Sequence, residues 1–129
     1  MMDSNKGLIE KLHHASLIVN DLEVALTFYQ GVLGLDVDSN RPDLGYSGVW
    51  LVLPGEQQIH LMVLDNPDKN SQRPEHGGRD HHIAFAVNSI ENLVDSLKTF
   101  GVSFTLSKSG RKALFCRDPD GNALEFIQG

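Results

Sequence analysis

Residues 79–87 read Arg-Asp-His-His-Ile-Ala-Phe-Ala-Val, and an earlier version of the same stretch stands at 12–19, Leu-His-His-Ala-Ser-Leu-Ile-Val. Each His-His pair opens a short run rich in apolar and β-branched residues. Each run is followed by Asn, by Glu three positions later, and by apolar residues at helical spacing. A shift of 68 carries His14 to His82, Val19 to Val87, Asn20 to Asn88, Glu23 to Glu91 and Leu26 to Val94. Toward the ends of the halves, a shift of 65 carries Pro54 to Pro119, Ile59 to Leu124, His60 to Glu125 and Leu61 to Phe126. A three-residue difference in loop length reconciles the two shifts. Solenoid periods are shorter than this, and two copies do not make an array. The repeat predicts one domain over 1–129 built of two similar modules, at 8–64 and 80–129, joined by a linker at 65–79.

Within module one, alternation puts His14, Ser16 and Ile18 on one strand face and Ala15, Leu17 and Val19 on the other. Only one histidine of each pair therefore reaches a given site. A polar stretch over 1–11 precedes this strand, with Leu8 and Ile9 leading into it. Asn20 is expected to cap a helix, with Glu23 completing a capping box. Leu22, Ala25, Leu26, Tyr29 and Leu33 form its buried stripe, and Gly31 or Gly34 ends it. Strands are expected at 35–38, 49–53 and 58–64, the last two joined by the hairpin turn Pro-Gly-Glu-Gln. The linker, rich in Pro, Gly and polar residues, could double as a lid.

Module two repeats the plan. A strand at 82–87 leads to a helix opened by Asn88 and Glu91, which buries Ile90, Leu93, Val94, Leu97 and Phe100 and stops at Gly101. Strands follow at 102–106, 112–116 and 123–127, with Asp-Pro-Asp-Gly turning into the last. Each module is thus β-α-β-β-β.

A chain of 129 residues can bury a real core, and 40% hydrophobic with 22% charged residues is a globular composition. The longest apolar runs are far shorter than a membrane span. No apolar stretch follows the polar N-terminus, so neither a secretion signal nor a membrane partner is expected. Seventeen acidic against eleven basic residues, a net charge of -6, turns nucleic acid away. The single Cys116 excludes an internal disulfide and fits a reducing cytoplasm.

The repeat makes His14 equivalent to His82, and His60 equivalent to Glu125. Three imidazoles and one carboxylate are donors that suit Zn, Ni, Co, Fe or Mn. The neighbours Ile59, Leu61, Ile83, Leu124 and Phe126 are apolar and should turn to the helices, leaving the four donors on the opposite face. Independent solvation of each side chain does not account for metal-competent residues at both matched pairs. The fold class expected is α+β: two βαβββ modules forming a cupped, partly open mixed sheet around a metal site, helices on the outside. Ser16, Trp50, Met62 and Phe115 are candidate substrate contacts. Lys108, Arg111, Lys112 and Arg117 form a basic run that reads first as a solvated strand face and second as a contact for an anionic substrate. His13, His76 and His81 read as surface residues, the last two within reach of a substrate.

The run His-His-x-x-Leu-x-Val-x-Asp-Leu-x-x-Ala-x-x-Phe-Tyr-x-x-Val-Leu-Gly-Leu at 13–35, with Asp-Pro-Asp-Gly-Asn-x-Leu-Glu-Phe at 118–126, resembles the vicinal oxygen chelate superfamily. Its members include glyoxalase I, methylmalonyl-CoA epimerase, fosfomycin resistance proteins, extradiol dioxygenases and metal-free bleomycin-binding proteins. The resemblance implies one divalent metal held by His14, His60, His82 and Glu125, with Glu125 also acting as the catalytic base. The position of His60 is typically Glu in glyoxalase I-like members and Gln in epimerase-like ones. The Arg that meets the glutathione carboxylate is replaced here by Ile18, and an Asn of the same sites by Leu64. Extradiol enzymes carry a further His shortly before the Asp-Pro turn, and residues 107–116 contain none.

Four bound side chains on an octahedral ion leave two positions for a bidentate substrate, which favours a lyase or isomerase. If His60 stands off, His14, His82 and Glu125 form the open triad of an Fe(II) ring-cleaving dioxygenase. A bleomycin-resistance-like binding protein without turnover is the third reading. A cytoplasmic homodimer acting on a small-molecule substrate is expected, its modules pairing within or across chains.

Overall fold

The computed structural model describes residues 6–129. The reading of residues 1–5 as part of a polar N-terminal stretch lies outside the described residues.

Module one comprises β1 (His14–Val19), α1 (Leu22–Leu26) continuing as a wider π-helical turn over Thr27–Val32, then β2 (Asp36–Val37), β3 (Gly48–Val52) and β4 (Gln58–Val63). Module two comprises β5 (His82–Val87), α2 (Ile90–Thr99), β6 (Phe104–Leu106), β7 (Ala113–Arg117) and β8 (Ala123–Gln128), preceded by a 3-10 turn at Gly77–Arg79. The βαβββ plan holds in both halves. Each half is an open four-stranded mixed sheet, ordered β1-β4-β3-β2 and β5-β8-β7-β6. In each, the first strand runs parallel to the last and the remaining pairs are antiparallel.

The register reproduces the repeat residue for residue. Ser16 lies opposite His60 and Ala84 opposite Glu125; Trp50 lies opposite His60 and Phe115 opposite Glu125. Because side chains alternate, this one register sends Ile59, Leu61, Leu124 and Phe126 into the core and their polar neighbours to the other face. One apolar cluster unites both modules, with Val19, Tyr29, Leu51, Leu61, Leu97, Leu114 and Leu124 fully buried.

The helix starts fall one residue later than the sequence suggested. Asp21 and Ser89, both in extended backbone, are the N-caps, accepting from the amides of Val24 and Asn92. The amide of Asn20 instead donates to Asp120 Oδ1 across the modules, at 2.9 Å. Thr27, Phe28, Tyr29, Gly31 and Val32 are all weaker helix formers than Leu or Ala, and here the first helix widens rather than continuing as α. Gly34, at φ +73°, follows its end, as Gly101 at φ +70° follows α2. Phe100 was expected in the core but is 46% exposed, because it sits at the C-cap of α2 and lies over Gly31 of module one. Leu8 and Ile9 are exposed and lie outside β1.

The 3-10 turn packs onto module two. A Cβ on Gly78 would come within 3.0 Å of the rings of His76 and Phe115. No helix among the described residues is long and apolar enough to cross a membrane.

Candidate functional site

On the face turned away from the helices, β1, β4 and β3 present His14, His60 and Trp50 as a stack. The His60 ring lies 4.0 Å from that of His14 at 15° and 4.5 Å from that of Trp50 at 11°. Gln58, two residues before His60 and on the same face, orients it. Gln58 Nε2 donates to Asp38 Oδ2 at 2.9 Å, so its Oε1 is left to accept from His60 Nε2–H at 2.8 Å. The lone pair of His60 therefore lies on Nδ1. Burial, followed by the positive charge of His14, His13 and Arg41, pushes the His60 pKa down from 6.5 to about 4. Its ring is neutral at pH 7 and so available as a ligand. His13 and His14 meet through their Nδ1 atoms at 2.9 Å, one donating to the other.

The equivalent point of module two holds a different pair. His82 Nδ1 donates to the Asp80 carbonyl at 2.8 Å, while its Nε2 faces Glu125 Oε1 at 3.1 Å. With the ring neutral, two lone-pair atoms confront each other there. That contact calls for a shared proton or for a cation beside both atoms. Glu125 is buried, and its second oxygen accepts from Arg111 Nη2 at 3.3 Å. Phe115 lies edge-on to His82 at 5.6 Å and against His76 at 4.9 Å.

Asp80 holds this half-site in place. Its carboxylate accepts from Arg73 Nε, from Arg117 Nη1 at 2.9 Å and from the amide of His81. Burial alone would raise its pKa, but these arginines outweigh burial and hold the carboxyl at about 2. Arg117 also donates to the carbonyls of Gly121 and Pro74, which ties the linker to the last hairpin. Between the modules, the buried Tyr29 hydroxyl donates to Asp118 Oδ2 at 2.7 Å, and Asn122 Nδ2 donates to both Asp118 Oδ2 and the Ile18 carbonyl. Burial and then the Asp118 charge raise the Tyr29 pKa well above its usual value, so the phenol stays protonated as donor. Cys116 is buried and free; burial, then Asp118, pushes its thiol up to about 12, which leaves it inert.

The structure thus brings His14 to His60 and His82 to Glu125. Among the described residues, no group of three or more His, Cys, Asp or Glu converges to hold a metal ion. Ser16 and Met62 share the His60 face with Trp50, and Ser16 lines a cavity of about 350 Å3 with His81, His82 and Asn122. The donor types fit a divalent cation, one imidazole pair and one imidazole–carboxylate pair, on the faces turned away from the helices. Of the basic run, Arg111 reaches Glu125, Lys112 pairs with Glu91, Arg117 serves Asp80, and Lys108 stays exposed at a second cleft. Sequence reading missed Asp38, Gln58, Asp80 and Asp118. Strand alternation could have found Gln58, whereas Asp80 orients His82 through its backbone, which no side-chain pattern reveals.

The family model described as the Glyoxalase/Bleomycin resistance protein/Dioxygenase superfamily matches residues 11–126. The chain is 31% identical to the uncharacterised protein YwkD of Bacillus subtilis, over 94% of this chain and 98% of that one. It is also 31% identical to a lactoylglutathione lyase of Haemophilus influenzae, over 89% and 90% of the two chains. Among solved structures, a glyoxylase/bleomycin resistance protein/dioxygenase domain from Frankia sp. EAN1pec superposes with a TM-score of 0.71 at 28% identity, covering 94% of this chain and 98% of that one.

Proposed function

Because the chain belongs to the Glyoxalase/Bleomycin resistance protein/Dioxygenase superfamily, we propose that it is a metal-dependent lyase or isomerase acting on a small substrate that offers two neighbouring oxygens. The observation that carries this reading is the matched placement of two donor pairs, His14 with His60 and His82 with Glu125, at equivalent registers on outward faces. Each pair supplies half of a four-ligand set. A homodimer in which module one of one copy faces module two of the other would complete it, and the exposure of His14, Ser16, His82 and Ala84 leaves those faces open to a partner.

A divalent cation held by the four residues would supply Lewis acidity toward the two substrate oxygens. The chain's own groups do the rest. Glu125 is the base that takes a proton from the carbon beside the carbonyl. His82 orients one carboxylate oxygen, and Arg111, exposed along its length, leaves the other when substrate enters. Trp50 and Phe115, opposite the two inner ligands, exclude water from the reacting carbon.

A second reading, an Fe(II) ring-cleaving dioxygenase, draws support from one feature. His60 Nε2 is committed to Gln58 and its ring is held between Trp50 and His14, as suits a residue standing off the metal. Metal content of untagged protein, purified anaerobically without chelator beside His60→Ala, separates the readings. Near-stoichiometric Ni, Zn, Mn or Co that falls in the variant supports the lyase or isomerase. Stoichiometric Fe(II) indifferent to the substitution supports the dioxygenase. No metal present and none taken up would overturn both and leave a binding protein.

A further inference from the structure

Asp38 follows β2, and its amide donates to the Trp50 carbonyl at 2.8 Å, which sets its side chain beside Gln58. One carboxylate oxygen accepts from the Asn40 amide and the other from Gln58 Nε2, both at 2.9 Å. The Asn40 amide, and then Gln58, lowers the Asp38 pKa, so at neutral pH the group is ionised and can only accept. That demand passes along the row. Gln58 must turn its NH2 to Asp38, its carbonyl oxygen then faces His60, and that oxygen takes a hydrogen only from a protonated Nε2. We propose that Asp38 and Gln58 are a positioning pair that makes His60 an Nδ1 ligand: a carboxylate two hydrogen bonds from the ring chooses the nitrogen offered to the metal ion.

Three features support this assignment. The stack of His60 between Trp50 and His14 holds the ring plane but not its rotation by a half turn, because either orientation presents the same flat face. A half turn would bring Cε1–H to Gln58 in place of Nε2–H, and a carbon-bound hydrogen is the weaker donor. Gln58 therefore selects both the orientation and the tautomer of a ring that packing alone leaves undecided. Second, the pair is replaced at the matched points of module two. Ala123 stands opposite His82 as Gln58 stands opposite His14, and Thr105 pairs with Phe115 where Asp38 meets Trp50. The inner donor there is Glu125, whose two oxygens are chemically equivalent and need no selection. Third, His82 is fixed in the reverse sense, its Nδ1 donating to the Asp80 carbonyl and its Nε2 left as the open atom. Nδ1 lies closer to the backbone than Nε2, so the two modules present imidazoles of different reach.

This assignment rests on the metal-dependent reading, and the experiment lets the two fail separately. Full-length, metal-free protein labelled with 15N is followed at neutral pH by long-range 1H–15N correlation of the imidazole rings, with His60→Gln identifying the His60 signals. Wild type should show His60 protonated at Nε2 and bare at Nδ1. In Asp38→Asn the new amide offers a donor as well as an acceptor, so Gln58 is free to turn; in Gln58→Leu the acceptor is gone. Each variant should lower the ratio of the Nε2–H to the Nδ1–H form by about fivefold, the worth of one ordinary hydrogen bond, while the His82 signals stay in place. Zinc added to wild type should shift Nδ1 of His60 and leave its Nε2 proton on. A wild type protonated at Nδ1, a ratio unchanged in either variant, or zinc that displaces the Nε2 proton would overturn the positioning role while metal binding stands. Zinc that shifts none of the His14, His60 and His82 rings would instead overturn the metal-dependent reading, and the ligand assignment with it.

Discussion

The third residue of β4 is His60, a neutral imidazole pressed between Trp50 and His14; the third residue of β8 is Glu125, a carboxylate between His82 and Arg111. The strand register is the same at both points, but the side chain it carries and that side chain's partners differ. In module one burial, and after it the positive neighbours, suppress protonation of His60, whereas module two gives Glu125 a cationic counter-ion. The repeat offers two equivalent places for a side chain, and one carries an imidazole while the other carries a carboxylate. Among the described residues each half brings only two donors together, so the proposed four-ligand site turns on how copies of the chain meet.

The largest expected effect comes from Glu125→Ala. It removes the only carboxylate of the set, so zinc affinity measured by calorimetry should fall by a factor on the order of 100 or more, against roughly tenfold for His60→Ala. Comparable losses at the two positions would mean that the modules contribute alike.

Next in size is Asp118→Ala, in the turn of module two that clasps module one. It strands the buried Tyr29 hydroxyl and the Asn122 amide, and should cost about 3 kcal/mol in urea unfolding. The corresponding turn of module one, at 54–57, has no such network among the described residues, and Pro54→Ala should cost well under 1 kcal/mol, roughly the scale of an ordinary surface change.

The pH response should separate the modules as well. His60 has a pKa of about 4 in the folded chain against 6.5 for a free imidazole, so the unfolded chain takes up a proton that the folded one resists. This contribution to stability is complete above 6.5 and declines as pH falls toward 4. The urea midpoint of metal-free protein should drop across that interval and do so less steeply in His60→Gln. Asp80 of module two acts lower, its contribution being lost between 3.8 and about 2.

The smallest effect is a gain. Glu56 sits at φ +68° beside Gly55 at φ +84° in the hairpin of module one, and Glu56→Gly should raise stability by about 0.5–1 kcal/mol. A loss there would show that its pairing with Lys11, at 3.1 Å, outweighs the strain.

The repeat made the βαβββ plan legible because side-chain alternation and the 68-residue and 65-residue shifts fix one register for both halves. It also singled out His14, His60, His82 and Glu125 as one set, which the structure brings together two by two, because residues on matched strands land on matched points. The helix starts were misplaced by one residue because Asn20 and Asp21, like Asn88 and Ser89, are both capping types. What chose between them was backbone geometry and, for Asn20, a partner 100 positions away. The widened turn of the first helix and the exposure of Phe100 depend on how two helices meet, which local periodicity does not encode. Asp80 was unreadable for a related reason: it steers His82 with a carbonyl oxygen, a group every residue possesses.

The most direct test mixes two inactive proteins, His14→Ala/His60→Ala and His82→Ala/Glu125→Ala, and measures metal bound to the purified mixed dimer. If the site forms across copies, the intact module one of one chain meets the intact module two of the other. Neither protein alone should then hold metal, while the mixed dimer should hold one ion. A mixed dimer as empty as its parents, beside a wild type that binds metal, would contradict assembly across copies and place all four ligands within a single chain.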